Sequence, residues 1–279
     1  MKALPSLAVT LALATGVLAA PGDVLVSIPS PESNPLGMAY DGAGLWVVDR
    51  LTDRLYRVNP SDGAVTDSFP TPRFDPTGLA WDGRLLWCID GDERAAYAIN
   101  PTTKKLERSI ALDMARPAGA AWDGKSLWVA DEGRRKLHQV DVNKGVIARS
   151  IPAPSQSMCG MAFDGKYLWV ADRHRDQIYM VSTIQGDVVI TLRSPGPHPW
   201  GLAWDGSNLW NVDYQTDLIY KLVVDDGTLF SRYDGKSEQV ELVHQVRNFG
   251  PEKLTSLQVT MAIPENRDTQ ELQIGRAHV

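Results

Sequence analysis

The chain has 279 residues, 43% of them hydrophobic and 22% charged, with a formal net charge of −6. That is the composition of a packed globular protein and excludes a disordered or low-complexity chain. The acidic balance gives no reason to expect nucleic acid or an anionic lipid surface as a partner.

The first element is a leader. MKALPSLAVTLALATGVLAA has a lysine near its start, an apolar run and small residues before Pro21. It reads as a secretory signal peptide over residues 1–19, too short to be a membrane span. Pro21 disfavours a cut directly before it, so cleavage is placed after Ala19, with Val17 and Ala19 read by the peptidase. The expected location is secreted or periplasmic. No second apolar stretch is long enough to hold the protein in a membrane.

From residue 20 to about 235 the sequence repeats itself. GMAYDGAGLWVVD, GLAWDGRLLWCID, GAAWDGKSLWVAD, GMAFDGKYLWVAD and GLAWDGSNLWNVD carry Asp41, Asp82, Asp123, Asp164 and Asp205, each 41 residues after the one before. A period of this size means either a helical solenoid or propeller blades. Each unit holds four runs of strand length, rich in Val, Ile, Trp and Tyr and separated by turn residues, with no amphipathic helical pattern. The predicted fold is all-β, a five-bladed β-propeller with four strands per blade.

The Asp-Gly pairs are predicted hairpin turns between the first and second strands, because Gly readily adopts positive φ and Asp tolerates it. Gly37, Gly78, Gly119, Gly160 and Gly201 open the innermost strands, where the blades converge. Trp46, Trp87, Trp128, Trp169 and Trp210 are the expected core, each packed against a neighbouring blade. Tyr56, Tyr97, His138, Tyr179 and Tyr220 form a third column, so His138 is expected to pack. The fourth-strand pattern occurs six times, preceded by Gly22, Gly63, Lys104, Gly145, Gly186 and Gly227. Residues 24–28 are therefore expected to close the ring as the outer strand of blade 5. Cys88 and Cys159 lie in different repeat positions and are expected to be free, buried thiols.

Beyond about Gly235 the repeat ends. Residues 236–273 read as the start of a second β domain, with two alternating strands around a Phe-Gly-Pro turn. IGRAHV, 274–279, looks like a translated sequencing adapter, which would make the domain truncated.

Two sets of residues are candidates for chemistry. Asp49, Asp90, Asp131, Asp172 and Asp213 end the second strands. They either bind a hard cation together or each cap their own loop by accepting backbone N–H bonds. The loops that follow place Arg50, Arg94, Arg134, Arg135, Arg173, His174 and Arg175 on one face. The loops entering the first strands add Arg73, Phe74, Arg116, His198 and Trp200. Arginines with aromatics beside carboxylates suit an anionic or sugar-like ligand or a peptide or protein partner. The other reading is an ordinary solvated loop surface. The sequence contains no nucleophile beside a base, no zinc-ligand spacing and no phosphate-cradling glycine loop. No cofactor, resident metal or catalytic residue is therefore assigned.

On G-x-A-W-D-G followed by L-W-x-x-D, the repeats resemble secreted propellers of the NHL-type and lyase-like kinds and the five-bladed glutamine cyclotransferases. The last of these resemblances implies a carboxylate at the channel mouth that shuttles a proton, for which Glu93 and Glu132 lie in suitable loops. VRNFGP and AIPENRDTQEL resemble the β region that precedes the catalytic domain of bacterial transglutaminase-like proteins, whose Cys/His/Asp machinery would lie downstream of this chain. The expected role is an exported binding or interaction module within such a protein, with cyclisation of N-terminal glutamine as the alternative.

Overall fold

The computed structural model describes residues 20–224. The expected leader, the last residues assigned to the propeller, the second β segment and the adapter-like end lie outside the described residues.

Among the described residues twenty strands follow one another. The first, β1, spans Val24–Pro29. Blade 1 holds β2 (Pro35–Tyr40), β3 (Leu45–Asp49), β4 (Arg54–Val58) and β5 (Val65–Pro70). Blade 2 holds β6 (Pro76–Trp81), β7 (Leu86–Asp90), β8 (Ala95–Asn100) and β9 (Lys105–Ala111). Blade 3 holds β10 (Pro117–Trp122), β11 (Leu127–Asp131), β12 (Lys136–Asp141) and β13 (Val146–Pro152). Blade 4 holds β14 (Met158–Phe163), β15 (Tyr167–Asp172), β16 (Gln177–Ser182) and β17 (Val188–Arg193). Blade 5 holds β18 (Pro199–Trp204), β19 (Leu209–Asp213) and β20 (Leu218–Leu222). Its fourth strand is β1, antiparallel to β20 with Ser27 opposite Tyr220 and Ile28 opposite Ile219. The ring therefore closes as the sixth copy of the fourth-strand pattern predicts. Among the described residues no helix is long and apolar enough to cross a membrane.

Burial follows from the repeat columns. Each column tryptophan is no more than 2% exposed and packs on the next blade. Trp87 and Ile89 of blade 2 share a core with Ala120, Leu127 and Val129 of blade 3. Trp210 and Val212 of blade 5 share one with Ile28, Met38, Leu45 and Val47, which carries the same packing across the closure. The column glycines are where neighbouring first strands touch. A Cβ on Gly37 would lie 2.6 Å from the backbone nitrogen of Leu79, and one on Gly201 would lie 2.4 Å from the carbonyl of Leu36.

The Asp-Gly turns do more than reverse the chain. Asp41 Oδ1 accepts the Ala43 and Gly44 N–H groups, while its Oδ2 accepts the indole N–H of Trp46 at 2.9 Å. The indole bond recurs in every blade, from Trp87 to Asp82, Trp128 to Asp123, Trp169 to Asp164 and Trp210 to Asp205, at 2.8–2.9 Å. One carboxylate thus shapes the turn and satisfies the single polar atom of the buried tryptophan.

A second turn, between the second and third strands, is equally regular. Asp53, Arg94, Arg135, Asp176 and Asp217 all adopt φ between 50° and 54°. Their carbonyls accept N–H bonds from Thr71, Leu112, Ala153, Ser194 and Ser30, where the fourth strands end. No glycine marks this position, so its conformation was not evident from the sequence.

Candidate functional site

The loops after the second strands and those entering the first strands converge at one end of the propeller. The ring aspartates fix them there. Asp49 accepts the N–H of Asn34 and Thr52, Asp90 those of Asp75 and Glu93, and Asp213 those of His198, Gln215 and Thr216. Asp131 accepts from Ala115, Arg116 and Arg134, and Asp172 from His174 and Arg175. All five carboxylates cap their own loops, which is the capping alternative, and those of Asp49, Asp90, Asp131 and Asp213 also tie that loop to the one entering the same blade. Burial pushes the Asp131 carboxyl up, but its three backbone N–H bonds and nearby His138 bring it below the usual aspartate value. His138 itself is held below the ordinary histidine value, mainly by burial, and its Nδ1 lies 2.7 Å from Ser150 Oγ. It packs in its tyrosine column.

The residue after each ring aspartate donates its backbone N–H to the carbonyl of the residue that precedes the first strand: Arg50 to Asn34, Gly91 to Asp75, Glu132 to Arg116, Arg173 to Ser157 and Tyr214 to His198. Two rings of side chains are thereby set next to each other around the axis. Their residues differ from blade to blade. Arg50 Nη2 of blade 1 lies 2.9 Å from Asp75 Oδ1 of blade 2. Glu132 of blade 3 receives Arg173 of blade 4 at 2.5 Å and Arg116 at 3.2 Å. The Arg173 guanidinium lies 5.0 Å from the ring centre of Trp200 in blade 5, and Trp200 meets Tyr214 at 5.8 Å. The Asn34 amide of blade 1 lies 3.4 Å from the Tyr214 hydroxyl.

Arg50, Asp75, Arg116, Glu132, Arg173 and Trp200 border a cavity of about 340 Å³, lined from all five blades. Its charged lining comprises Arg50, Arg94, Arg116 and Arg173 with Asp75, Asp92 and Glu132; its apolar lining includes Leu36, Ala118 and Trp200. Glu132 and Arg173 are only 10% and 12% exposed, whereas Arg116 is 68% exposed. Burial raises the Asp75 carboxyl above its usual value. Arg50 opposes the rise, and Asp92 and Asp90 add to it.

The other candidates are placed differently. Arg134 turns to Asp113, and His174 Nδ1 lies 2.8 Å from Ser157 Oγ. The backbone N–H of His198 bonds Asp213, and its Nδ1 is buried without a hydrogen bond. None of the three lines the cavity, nor do Arg73, Phe74, Arg135 and Arg175. The two glutamates separate clearly: Glu132 is in the cavity, while Glu93 staples its loop by accepting from Tyr97 and Arg73. Those two bonds, the Tyr97 one first, hold the Glu93 carboxyl below its ordinary value. Asp75 and Asp92 escaped notice in the sequence because aspartate is common in these loops. Their signal was position, one directly before the first-strand proline and the other directly after Gly91.

Both cysteines are free and buried. Cys159 occupies the position of Thr77 in blade 2. Its thiol donates to the Pro199 carbonyl at 3.1 Å, much as Thr77 Oγ1 bonds that of Pro117 at 3.3 Å. Burial pushes the Cys159 thiol up to about 12, so it is not a nucleophile at neutral pH.

No protein-family model matches the sequence, and no curated protein matches it. Among solved structures, glutaminyl cyclase from Myxococcus xanthus superimposes with a TM-score of 0.65 at 13% identity, covering 73% of this chain and 97% of that one. Virginiamycin B lyase from Staphylococcus aureus gives a TM-score of 0.45 at 18% identity, covering 71% and 68%. At these identities the first likeness shows the five-bladed fold and nothing of the chemistry.

Proposed function

We propose that this propeller is an exported binding module that takes a small anionic, polar ligand at its axial mouth. The cavity carries the reading. It joins a surplus of guanidiniums to buried hydrogen-bonding carboxylates, and its volume lies at the low end of the roughly 300–1,000 Å³ typical of small-molecule sites. Export rests on the character of residues 1–19. Membership of a transglutaminase-like protein rests on VRNFGP and AIPENRDTQEL alone.

One observation favours a second reading. Glu132, nearly buried between Arg173 and Arg116, is a carboxylate at the mouth such as the glutamine cyclotransferase resemblance implies.

One variant addresses both readings. Glu132→Gln/Arg173→Gln removes both members of the buried pair, so no uncompensated charge is left behind. A thermal-shift screen of anionic compounds, sugars and peptides is expected to yield compounds that stabilise the wild type, with affinity for the variant at least tenfold lower. Salt is expected to weaken binding, since part of the contact is exposed charge. If no compound separates the two proteins, the mouth is ordinary surface. Ammonia release from N-terminal glutamine peptides that the variant abolishes would establish the enzymatic reading instead.

A further inference from the structure

Around the mouth, the ring position after each capping aspartate carries Arg50, Glu132, Arg173 or Tyr214, and in blade 2 it carries Gly91. The other four side chains each reach a neighbouring blade. Gly91 sends no side chain to a neighbouring blade, and on this side, between blades 2 and 3, the cavity is lined by Asp75, Asp92, Arg94 and Arg116. The space directly over the Gly91 Cα is filled by its own blade, so the open volume lies beside it, towards Asp92, Arg94 and Arg116. A Cβ on Gly91 would lie 2.6 Å from Asp75 Oδ2 and 3.0 Å from Thr77 Cγ2.

The groups on this side are the least satisfied in the cavity. Arg94 is exposed and has no ion pair among the described residues. Arg116 touches Glu132 at its Nε and is otherwise open to solvent. Arg50 lies near Asp75 Oδ1 but off the line of a hydrogen bond, so this buried oxygen keeps an ion pair and lacks a hydrogen-bond donor.

Resting on the mouth-binding reading, we infer that the side of the cavity between blades 2 and 3 holds a hydroxy-carboxylate of the sugar-acid class, its carboxylate on Arg94 and Arg116 and a hydroxyl donating to Asp75. Guanidinium matches a carboxylate in two parallel hydrogen bonds. The four lining arginines exceed the three lining acids by one charge, which suits a monoanion. A hydroxyl is the better donor to Asp75 because an ammonium there would face Arg50, Arg94 and Arg116. It also relieves a carboxylate that burial already disfavours.

The test is isothermal titration calorimetry of the full chain with three probes: glucuronate, glucose as the neutral sugar, and propionate as the carboxylate without hydroxyls. Glucuronate is expected to bind at least tenfold more tightly than either of the others. Arg94→Asn tolerates the left-handed backbone and is expected to weaken glucuronate at least tenfold, as is Gly91→Ser. Arg84→Ala, on a separate surface ion pair with Glu107, is expected to bind like the wild type. Should Gly91→Ser fold poorly, Arg94→Asn and the probe ranking still decide. Equal binding of glucose and glucuronate, full affinity in Arg94→Asn, or no binding of any probe overturns the assignment. A ligand lost in Glu132→Gln/Arg173→Gln but kept in Arg94→Asn overturns it while leaving the mouth-binding reading intact.

Discussion

At the residue scale, the aspartate of each Asp-Gly turn shows what the sequence expressed and what it concealed. The turn was legible because Asp-Gly between apolar runs has a local cause. The bond from that aspartate to the tryptophan five residues later was not, because it needs a strand reversal and a particular rotamer, although both columns shared the 41-residue period. Asp41 illustrates the consequence. Burial raises its carboxyl, but the Arg57 bond, the Gly44 and Ala43 N–H groups and the Trp46 indole together bring it below the usual value of 3.8. A lowered carboxyl contributes stability that is fully present above the unfolded value and is lost as pH falls through the folded one. Asp41→Asn keeps one acceptor and turns a donor towards the indole and guanidinium. We expect it to cost about 1.5–3 kcal/mol at neutral pH, the range for hydrogen bonds to charged groups. In chemical denaturation as a function of pH, the gap from wild type should narrow as the solution becomes strongly acid. A constant gap would mean that the carboxylate's charge contributes nothing.

At the element scale, strand number, strand order and closure were all legible. VLVSIP is a sixth copy of a fourth strand, and in a ring an extra outer strand at the start belongs to the last blade. The pairing of β1 with β20 follows from that, and it ties the start of the described chain to its end. Deleting residues 22–31 strips β20 of its outer partner and uncovers the side chain of Ile28's neighbours in the blade 5 to blade 1 core. The expected result is a lower Tm, together with association through the exposed edge. Unchanged Tm and a monomeric state by light scattering would show that another segment supplies the fourth strand. The left-handed turn position was illegible because arginine and aspartate occupy it. Arg94 and Arg135 therefore looked alike as loop cations, although only Arg94 lines the cavity.

At the scale of the whole molecule, the five-fold repeat explains the scaffold and its exceptions explain the site. Every element that recurs at 41 residues is engaged by its own blade or the next one: the tryptophans, the glycines, the capping aspartates and the turn aspartates. What remains for function is where the columns diverge, in the rings that hold Arg50, Gly91, Glu132, Arg173 and Tyr214 beside Asn34, Asp75, Arg116, Ser157 and His198. Of these, the sequence placed Arg50, Arg116, Arg173 and His198 on one face. It could not show which arginines are neutralised, because Arg50 with Asp75 and Glu132 with Arg173 pair across blade boundaries, between loops 25 and 41 residues apart. The absent side chain at Gly91 was visible in the repeat alignment as the one glycine in its column, and its meaning emerged only once its neighbours were placed. The most direct measurement of the central claim is a crystal structure of the full chain bound to a compound that stabilises it. Ligand density is expected in the mouth cavity, in contact with Arg94, Arg116, Asp75 and Glu132; density confined to the outer strands or to the opposite end of the propeller would contradict mouth binding.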